Sequence, residues 1–266
     1  MNFVYTFLLV FFLAVSLAFS QEVTVMSYNI YHGENPYKPG TSNIPEVADI
    51  IQSHSPDFVA LQEVDSMTGR TAGFNDGNRV NLVDELEDLT GLTGFFGKAI
   101  DYSNGGYGEG VLIAERQSIL SHHKLMLPIP KGGEERAVLF ARNKLENGME
   151  LTFAGTHLCH QFPENREAQA KEIVRYFKQE GAPVILCGDF NFEPGSEPYK
   201  ILTEYFYDAA VLIGDPQNTY SAKDPRIRID YIFLSKNHKW GVSSIQVLKH
   251  NASDHMPVVG KIRLEK

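Results

Sequence analysis

The chain has little cysteine and no excess of positive charge. Only two cysteines, Cys159 and Cys187, occur among its 266 residues, so a disulfide scaffold is excluded and at most one bridge could form. Both lie in predicted strands, where cysteines are commonly buried as free thiols, and we expect free thiols here. Lysine and arginine total 24 against 33 aspartates and glutamates, a formal net charge of −9. Because proteins that clamp long nucleic acids usually carry a basic stripe, this balance disfavours a nucleic-acid partner without excluding one.

The chain also lacks internal repeats, low-complexity tracts and any Pro/Ser-rich linker that would divide it. With 266 residues and 43% hydrophobic content, it can bury a large core without a structural metal. We therefore predict one α/β domain over residues 21–266, and we expect it to be monomeric.

The first 20 residues have a different character. Residues 3–19 are almost wholly apolar, and the small residues Ala18 and Ser20 precede the polar pair Gln21-Glu22. This arrangement predicts a signal peptide over residues 1–20 and export of the protein, secreted or periplasmic. Met1-Asn2 supplies no basic residue, unlike a standard signal. An uncleaved leader would hold the protein at a membrane, although the stretch is slightly short for a span; after cleavage we expect no stable membrane span.

Hydrophobic periodicity predicts both helices and strands along the domain. Helical spacing of apolar residues predicts helices at 44–54, 80–90, 166–179 and 197–202. Alternating or continuous apolar runs predict strands at 22–30, 58–63, 95–98, 110–114, 137–144, 149–158, 183–186, 230–234, 242–248 and 256–264. Turns such as Glu146-Asn147-Gly148 favour antiparallel hairpins. Hairpins mixed with helices indicate packed sheets covered by helices, not a doubly wound parallel sheet.

A carboxylate and a carboxamide follow one buried strand directly. The apolar run 183–186 leads into Cys187-Gly188-Asp189-Phe190-Asn191-Phe192. Residues two apart on an extended chain point the same way, so Asp189 and Asn191 are expected side by side. A carboxylate that takes a proton and an amide that orients water or a phosphoryl oxygen suit hydrolysis of a phosphoester. Gly, Asp and Asn also favour turns for local reasons, which is the alternative interpretation.

Polar residues capable of chemistry recur where other predicted strands begin or end. They are Asn29, Glu63, His157, Asp189, Asn191, Asp230, Asp254 and His255. Each has a structural alternative, such as a turn cap, a surface carboxylate, a core histidine or half of an ion pair. Their joint order along the chain points instead to one site.

That order resembles the endonuclease/exonuclease/phosphatase superfamily, which has the deoxyribonuclease-I-like fold. The motifs that carry the resemblance are Ser27-Tyr28-Asn29-Ile30, Leu61-Gln62-Glu63-Val64-Asp65, Gly155-Thr156-His157-Leu158, Gly188-Asp189-Phe190-Asn191, Arg228-Ile229-Asp230-Tyr231-Ile232 and Ser253-Asp254-His255-Met256-Pro257. The resemblance implies a four-layer α/β/β/α sandwich, with two mixed β-sheets face to face and helices outside. It also implies a catalytic domain that hydrolyses a phosphoester by metal-assisted, in-line attack of water.

The resemblance assigns residues to a divalent-metal site at the sheet edge. Mg²⁺ prefers oxygen ligands and is usually held by one or two carboxylates plus waters and substrate phosphate. Glu63 is therefore the expected principal ligand, assisted by Asn29. Asp254 is expected to join the metal site or to support it. Mn²⁺ or another divalent cation would serve the same chemistry.

The remaining motif residues are expected to carry the catalytic steps. By the resemblance, Asp189 activates the attacking water or joins the metal site, and Asn191 orients the nucleophile and a phosphoryl oxygen. His157 and His255 would donate hydrogen bonds to non-bridging oxygens, a task for which a protonated histidine is best suited. Asp230 would fix the tautomer of His255 and raise its pKa.

The sequence leaves two further assignments open. Arg136 resembles a cleft arginine whose planar guanidinium suits phosphate, although an ion pair with a neighbouring glutamate is an equal alternative. A tyrosine that helps to hold the phosphate in some members has two candidates here, Tyr102 and Tyr107.

The shared motifs do not choose the substrate. We expect a phosphodiesterase or phosphatase, with a sphingomyelinase-like phospholipase and a secreted nuclease as alternatives. A catalytically inactive binding module is disfavoured because Glu63, Asp189 and His255 are all present.

Overall fold

Two six-stranded sheets form the centre of residues 21–265, the part of the chain that this computed structural model describes. The predicted signal peptide lies outside the described residues. The strands are β1 Glu22–Asn29, β2 Phe58–Ser66, β3 Thr93–Tyr102, β4 Gly105–Ile113, β5 Ser118–Met126, β6 Ala137–Lys144, β7 Glu150–His157, β8 Val184–Asp189, β9 Phe206–Asp208, β10 Asp230–Ser235, β11 Lys239–Val247 and β12 Val258–Glu265. The helices are α1 Ile44–His54, α2 Gly69–Phe74, α3 Leu82–Thr90, α4 Pro163–Glu180, α5 Glu197–Tyr205 and α6 Ala209–Leu212, with a 3₁₀ helix at Tyr31–Gly33.

Both sheets are mixed, and each has one parallel pair near its centre. The first sheet has the order β11-β12-β1-β2-β4-β3, and the second has the order β5-β6-β7-β8-β10-β9. β1 runs parallel to β2, and β7 runs parallel to β8, while the other neighbours are antiparallel. Helix α1 connects the first parallel pair and helix α4 connects the second, as parallel strands require a crossover.

The sheets pack face to face, and the helices cover their outer faces. Alternate residues of a strand point to opposite faces, so Val25 of β1 lies between the sheets and Met26 faces outward. Between the sheets, the rings of Phe58 and Phe153 stack at 5.1 Å between centroids. Helices α1 and α3 pack on the outer face of the first sheet, and α4 and α5 on that of the second. The predicted four-layer α/β/β/α sandwich is confirmed.

The sequence patterns located most elements but missed those with weak apolar signals. The predicted helix at 44–54 and strand at 137–144 have the observed bounds. Strand β5 was missed because it is polar and largely exposed, with two histidines at its centre. The β3–β4 hairpin is longer than predicted because its glycines interrupt the apolar pattern from which strands are predicted. A Cβ at Gly108 would lie 2.2 Å from the carbonyl oxygen of Gly97, so this crowded pairing requires glycine.

Cys159 and Cys187 are both buried and free, as expected. Among residues 21–265, every helix is too short or too polar to cross a lipid bilayer.

Candidate active site

The two parallel pairs direct their carboxyl ends to the same edge of the sandwich. Asn29 ends β1 and His157 ends β7, while Asp189 ends β8. Asp230 begins β10, which is antiparallel to β8, and it pairs directly with Asp189 across the sheet. The strand-end residues of both sheets are therefore brought together by topology, although they are far apart in sequence.

Glu63 reaches this edge through an irregularity in β2. The pairing of β2 with β4 shifts register between Leu61 and Val64, and Glu63 has a φ of 57°. A β-bulge of this kind re-aims a side chain, and a non-glycine residue at positive φ is strained. Asn191 is also in the left-handed region, with a φ of 51°. Two of the predicted site residues thus occupy backbone conformations that the surrounding structure must stabilise.

Asn29 connects the two sheets at this edge. Its Nδ2 donates to Oε1 of Glu63 at 3.1 Å and to Oδ2 of Asp189 at 3.2 Å. Its Oδ1 accepts from the backbone N–H of Tyr31. As arranged, the amide nitrogen faces both carboxylates, and the role of Asn29 as a metal ligand stays a prediction.

One oxygen of Asp189 is the centre of the site. Besides Asn29, Oδ2 lies 3.5 Å from Nε2 of His157 and 3.5 Å from Nε2 of His255. The other oxygen, Oδ1, accepts from the backbone N–H of Asn191 at 3.0 Å. Burial raises the pKa of Asp189 to about 7, against the opposing effect of His255. A carboxyl group with this pKa can gain and lose a proton near neutral pH.

His255 is held between two carboxylates. Its Nδ1 lies 3.1 Å and 3.0 Å from the two carboxylate oxygens of Asp230, and its Nε2 faces Asp189. Burial alone would lower the pKa of His255, but the charges of Asp230 and Asp189 outweigh it and raise the pKa to about 10. The predicted contact with Asp230 is present, and His255 is a cation at neutral pH.

His157 has the opposite electrostatic character. Burial, and then the charge of Arg136, hold its pKa well below the usual range, so the ring is neutral. Nη1 of Arg136 lies 3.2 Å from Nδ1 of His157, and Nδ2 of Asn191 lies 2.9 Å from Nε2. Asn191 also donates to the carbonyl of Leu158 at 3.0 Å. His157 and Asn191, predicted as site residues, are therefore in direct contact.

Arg136 lies in the cleft and also forms an ion pair with a neighbouring glutamate, so it has the features of both interpretations given from the sequence. Only 2% of it is exposed, it lines the cleft, and its Nη1 pairs with Oε1 of Glu134 at 2.9 Å. Nη2 lies 3.3 Å from Nδ1 of His160. The buried Nε has no hydrogen-bond partner among residues 21–265. A buried guanidinium with an unused N–H beside the site is suited to an anionic oxygen.

Asp254 lines the same cleft but contacts the site less directly. Its Oδ1 accepts from the hydroxyl of Ser253 at 3.3 Å, and its carbonyl accepts from the N–H of Ala222 at 2.7 Å. Its metal role stays a prediction.

Two ionisable residues near the site, His32 and Glu109, were not found from the sequence. His32 follows Asn29 by three positions, and its Nδ1 lies 3.6 Å from Oε2 of Glu63. The rule that polar residues follow strand ends could have found it. Glu109 is 1% exposed in a glycine-rich strand, and burial raises its pKa well above the usual range. Tyr107 lines the cleft and Tyr102 does not, and the role of Tyr107 toward phosphate stays a prediction.

The oxygen-rich edge contains an ionised carboxylate that could hold a divalent metal. Burial would raise the pKa of Glu63, but the contact with His32 and the hydrogen bond from Asn29 hold it well below the usual range, so the carboxylate is ionised. Separately, ligand atoms of Asp189, Asp230 and His255 lie within 4.8 Å of one another, which makes this trio a possible metal site. Ionised carboxylates facing a cleft are the donors that hard cations prefer, so the residues are suitable for such an ion.

The cleft above these residues has a volume of about 770 Å³. Its floor contains the buried Asp and His residues, whereas its rim contains four glutamates and Arg166. The rim carboxylates are Glu134, Glu167, Glu193 and Glu197. The opening is large enough for a small molecule that carries a phosphate.

The fold and the buried Asp/His cluster define a phosphoesterase architecture. Residues 26–255 match the Endonuclease/Exonuclease/phosphatase family, and the chain belongs to this family. Members of the family are metal-dependent phosphoesterases. The prediction of the family from the order of the strand-end motifs is confirmed.

Proteins similar to this chain include one relative and two solved structures. YbhP of Escherichia coli strain K12, an uncharacterized protein, is 26% identical over 251 residues, covering 90% of this chain and 96% of YbhP. The human Nocturnin catalytic domain with a bound sulfate anion is 22% identical, with a TM-score of 0.73, and the match covers 92% of this chain and 95% of that domain. A mannosyl-6-phosphatase of Bacteroides thetaiotaomicron is 19% identical, with a TM-score of 0.73, covering 90% of this chain and 99% of the phosphatase. The two structural likenesses establish the fold.

Proposed function

We propose that this protein hydrolyses a phosphoester of a small molecule with the aid of a divalent cation. One observation carries the proposal: Oδ2 of Asp189 is approached by His157, His255 and Asn29, which come from both sheets. A carboxylate, a neutral imidazole and an imidazolium meet at one cleft. Their different protonation states supply the proton acceptor and the hydrogen-bond donors that this reaction needs.

The chain's own residues have separate tasks in this mechanism. Asp189, with a pKa of about 7, takes the proton of the attacking water. His255 is protonated and donates to the phosphoryl oxygens as negative charge develops there. Asp230 is a positioning residue, because it fixes the ring of His255 through both of its oxygens. Asn191 and neutral His157 orient the water and a non-bridging oxygen from the other side.

A divalent cation would offset the negative charge of the site carboxylates and of the substrate phosphate. Glu63 would hold it, supported by Asp254 and Asn29, and Mg²⁺ suits these oxygen ligands better than softer metals. When bound, the cation polarises the phosphoryl group and neutralises developing charge. The trio Asp189, Asp230 and His255 is the alternative location. Because His255 is a cation between two carboxylates, we favour the Glu63 side.

The rim of the cleft supports a small substrate over a long nucleic acid. Of the four glutamates that line it, Glu134 pairs with Arg136 and Glu197 with Lys200. Glu167 and Glu193 have no such ion pair among residues 21–265, and they would repel a phosphodiester backbone beside the scissile bond. The similar folds of a mannosyl-6-phosphatase and of a domain that binds sulfate agree with a compact phosphate-bearing ligand. A sphingomyelinase-like phospholipase and a secreted nuclease remain the alternatives to be tested.

The test is a substrate screen with purified protein. Bis-nitrophenyl phosphate, nitrophenyl phosphate, plasmid DNA, sphingomyelin vesicles and inositol phosphates are each assayed with Mg²⁺, with Mn²⁺ and with chelator. We expect metal-dependent turnover of small esters, and slow or absent nicking of plasmid. Asp189→Asn, which keeps the shape of the side chain, is expected to fold and to lose at least about 10³-fold in kcat. Unchanged turnover in that variant would contradict the mechanism.

We also propose that the protein is exported. The apolar stretch at 3–19 followed by small residues supports this proposal. Amino-terminal sequencing of the protein from its native cell is expected to begin at Gln21, and an intact amino terminus in the cytoplasmic fraction would overturn the proposal.

A further inference from the structure

A second groove, of about 460 Å³, lies beside the active site and differs from it in charge. It is lined by three lysines and a histidine, in a chain whose net charge is −9. The lysines are Lys38, Lys223 and Lys249, and the histidine is His250. Glu46 is the acidic residue that lines the groove. A local excess of positive charge on an acidic protein attracts anions to that place.

The charges of the three lysines are not neutralised by ion pairs. Within residues 21–265, no carboxylate forms a salt bridge with Lys38, Lys223 or Lys249. Instead, Nζ of Lys223 lies 3.7 Å from the centroid of the Tyr37 ring. A cation–π contact orients an ammonium group without cancelling its charge. Lys223 is therefore held over the groove while it remains a cation.

Neutral donors complete the lining. Asn35 is 7% exposed, its Oδ1 accepts from the N–H of Tyr37, and its Nδ2 has no acceptor among residues 21–265. Nδ1 of His250 accepts from the N–H of Ala252 at 3.2 Å, which leaves Nε2 as the ring nitrogen that can contact a ligand. The Asn35 amide donor is open to the groove, so it is available to an anionic ligand. The groove thus contains ammonium, amide and imidazole donors, which is the set that a phosphate group needs.

The groove is joined to the active site through the same backbone segments. Asn35 and Lys38 follow the 3₁₀ helix that contains His32, and Lys249 precedes the turn that leads to His255. The N–H of Ala222, next to Lys223, donates to the carbonyl of Asp254 at 2.7 Å. Lys223 of the groove is thus one residue from a backbone hydrogen bond to Asp254, which lines the cleft. The charges differ on the two sides, since the cleft rim contains four glutamates.

We propose that this groove binds a second phosphate of the substrate, beyond the phosphoester that is hydrolysed. The inference rests on the proposed function and deepens it, because it names the substrate class as small molecules with two phosphate groups. The scissile phosphate occupies the cleft near Asp189, and the second one contacts Lys38, Lys223 and Lys249.

The kinetic test uses two esters that differ by one phosphate. They are the 4-nitrophenyl ester of thymidine 5′-phosphate and the same ester with an added 3′-phosphate. The variant changes Lys38, Lys223 and Lys249 to alanine together. The quantity compared is kcat/KM for the doubly phosphorylated ester divided by kcat/KM for the singly phosphorylated ester. In this variant we expect that ratio to fall about tenfold, mainly because KM for the doubly phosphorylated ester rises.

A matched control removes the same charge elsewhere. Lys144, Lys171 and Lys239 are exposed and lie outside the groove, and their triple alanine variant is expected to keep the wild-type ratio. An equal change in the ratio for both triple variants would overturn the proposal, because only net charge would then matter. An unchanged ratio in the groove variant would also overturn it.

A binding measurement separates this proposal from the catalytic one. Inorganic pyrophosphate is titrated calorimetrically into the protein in the presence of chelator, and Asp189→Asn is measured alongside. If neither ester is hydrolysed, the proposed function fails. Even then, pyrophosphate binding that is at least about fivefold weaker in the groove variant, and unchanged in Asp189→Asn, would support an anion site in the groove. Equal pyrophosphate binding by the wild type and the groove variant would overturn the proposal. Groove-dependent binding to phosphatidylglycerol vesicles without binding of pyrophosphate would overturn it in favour of a membrane contact.

Discussion

Nδ1 of His255 lies within 3.1 Å of both carboxylate oxygens of Asp230, while its Nε2 faces Asp189 at 3.5 Å. Asp189 and Asp230 pair directly across antiparallel strands, so the sheet itself sets the separation of the two carboxylates that hold the ring. The imidazolium is thus stabilised by residues whose positions follow from backbone pairing.

Asp230→Asn is expected to shift the pH dependence of turnover. The pKa of His255 is raised to about 10, so in the wild type the protonated ring persists at neutral pH and is lost as pH rises through that value. Removal of one carboxylate charge lowers this pKa, and the alkaline limb of kcat should move to lower pH by at least about one unit. A pH profile of kcat checks this. The control Asp215→Asn, at an exposed position, should leave the alkaline limb in place.

Arg136→Lys is expected to weaken substrate binding although charge is kept. A lysine has no guanidinium fork, so it cannot contact His157, His160 and a phosphate oxygen together. We expect KM for nitrophenyl esters to rise about tenfold, which corresponds to roughly 1.4 kcal/mol. Arg142→Lys, which affects a surface ion pair with Glu180, is the control. A wild-type KM in Arg136→Lys would remove this arginine from the phosphate site.

Glu63→Gln is expected to raise the metal requirement. The ionised carboxylate becomes a neutral amide, so the Mg²⁺ concentration for half-maximal activity should increase at least about tenfold. The measurement is activity as a function of Mg²⁺, with circular dichroism to confirm folding. Glu204→Gln, in α5, serves as the control. An unchanged metal requirement would favour the trio Asp189, Asp230 and His255 as the metal site.

Gly188→Ala is expected to destabilise the second sheet. A Cβ at this position would lie 2.1 Å from the carbonyl oxygen of Thr156 on the neighbouring strand, so β7 and β8 must separate. We expect the free energy of unfolding to fall by about 2 kcal/mol or more, measured by urea denaturation. Gly73→Ala, where an added Cβ meets nothing within 4 Å, should change stability little. Equal stability of the two variants would contradict the steric explanation.

Asp208→Asn is expected to destabilise the fold, although Asp208 does not line the cleft. Asp208 accepts from both Nη atoms of the buried Arg228, at 3.1 Å and 2.7 Å, and from the N–H of Ala210 at 3.1 Å. Loss of its charge leaves a buried guanidinium unpaired, which costs about 3 kcal/mol. Thermal and urea unfolding measure the change. Asp224→Asn breaks an exposed ion pair with Arg226 and should cost less than about 1 kcal/mol.

The sequence determined which residues end the strands and which family the chain belongs to. Apolar alternation and glycine caps act over a few residues, so helix α1 and strand β6 could be predicted with their bounds. The same local patterns placed Asn29, His157 and Asp189 at strand ends. Weakly apolar elements such as β5 gave no comparable signal, because an exposed polar strand is specified by its neighbours in the sheet.

Only the tertiary structure decided which side chains touch. The contact between Asn29 and Asp189 joins residues 160 positions apart, and no local pattern encodes the packing of one sheet on another. The bulge that re-aims Glu63 and the position of His32 beside it depend on strand pairing. The basic groove beside the cleft is likewise assembled from separate loops. Local periodicity specifies elements, but side-chain chemistry depends on distances that are fixed only when both sheets have packed together.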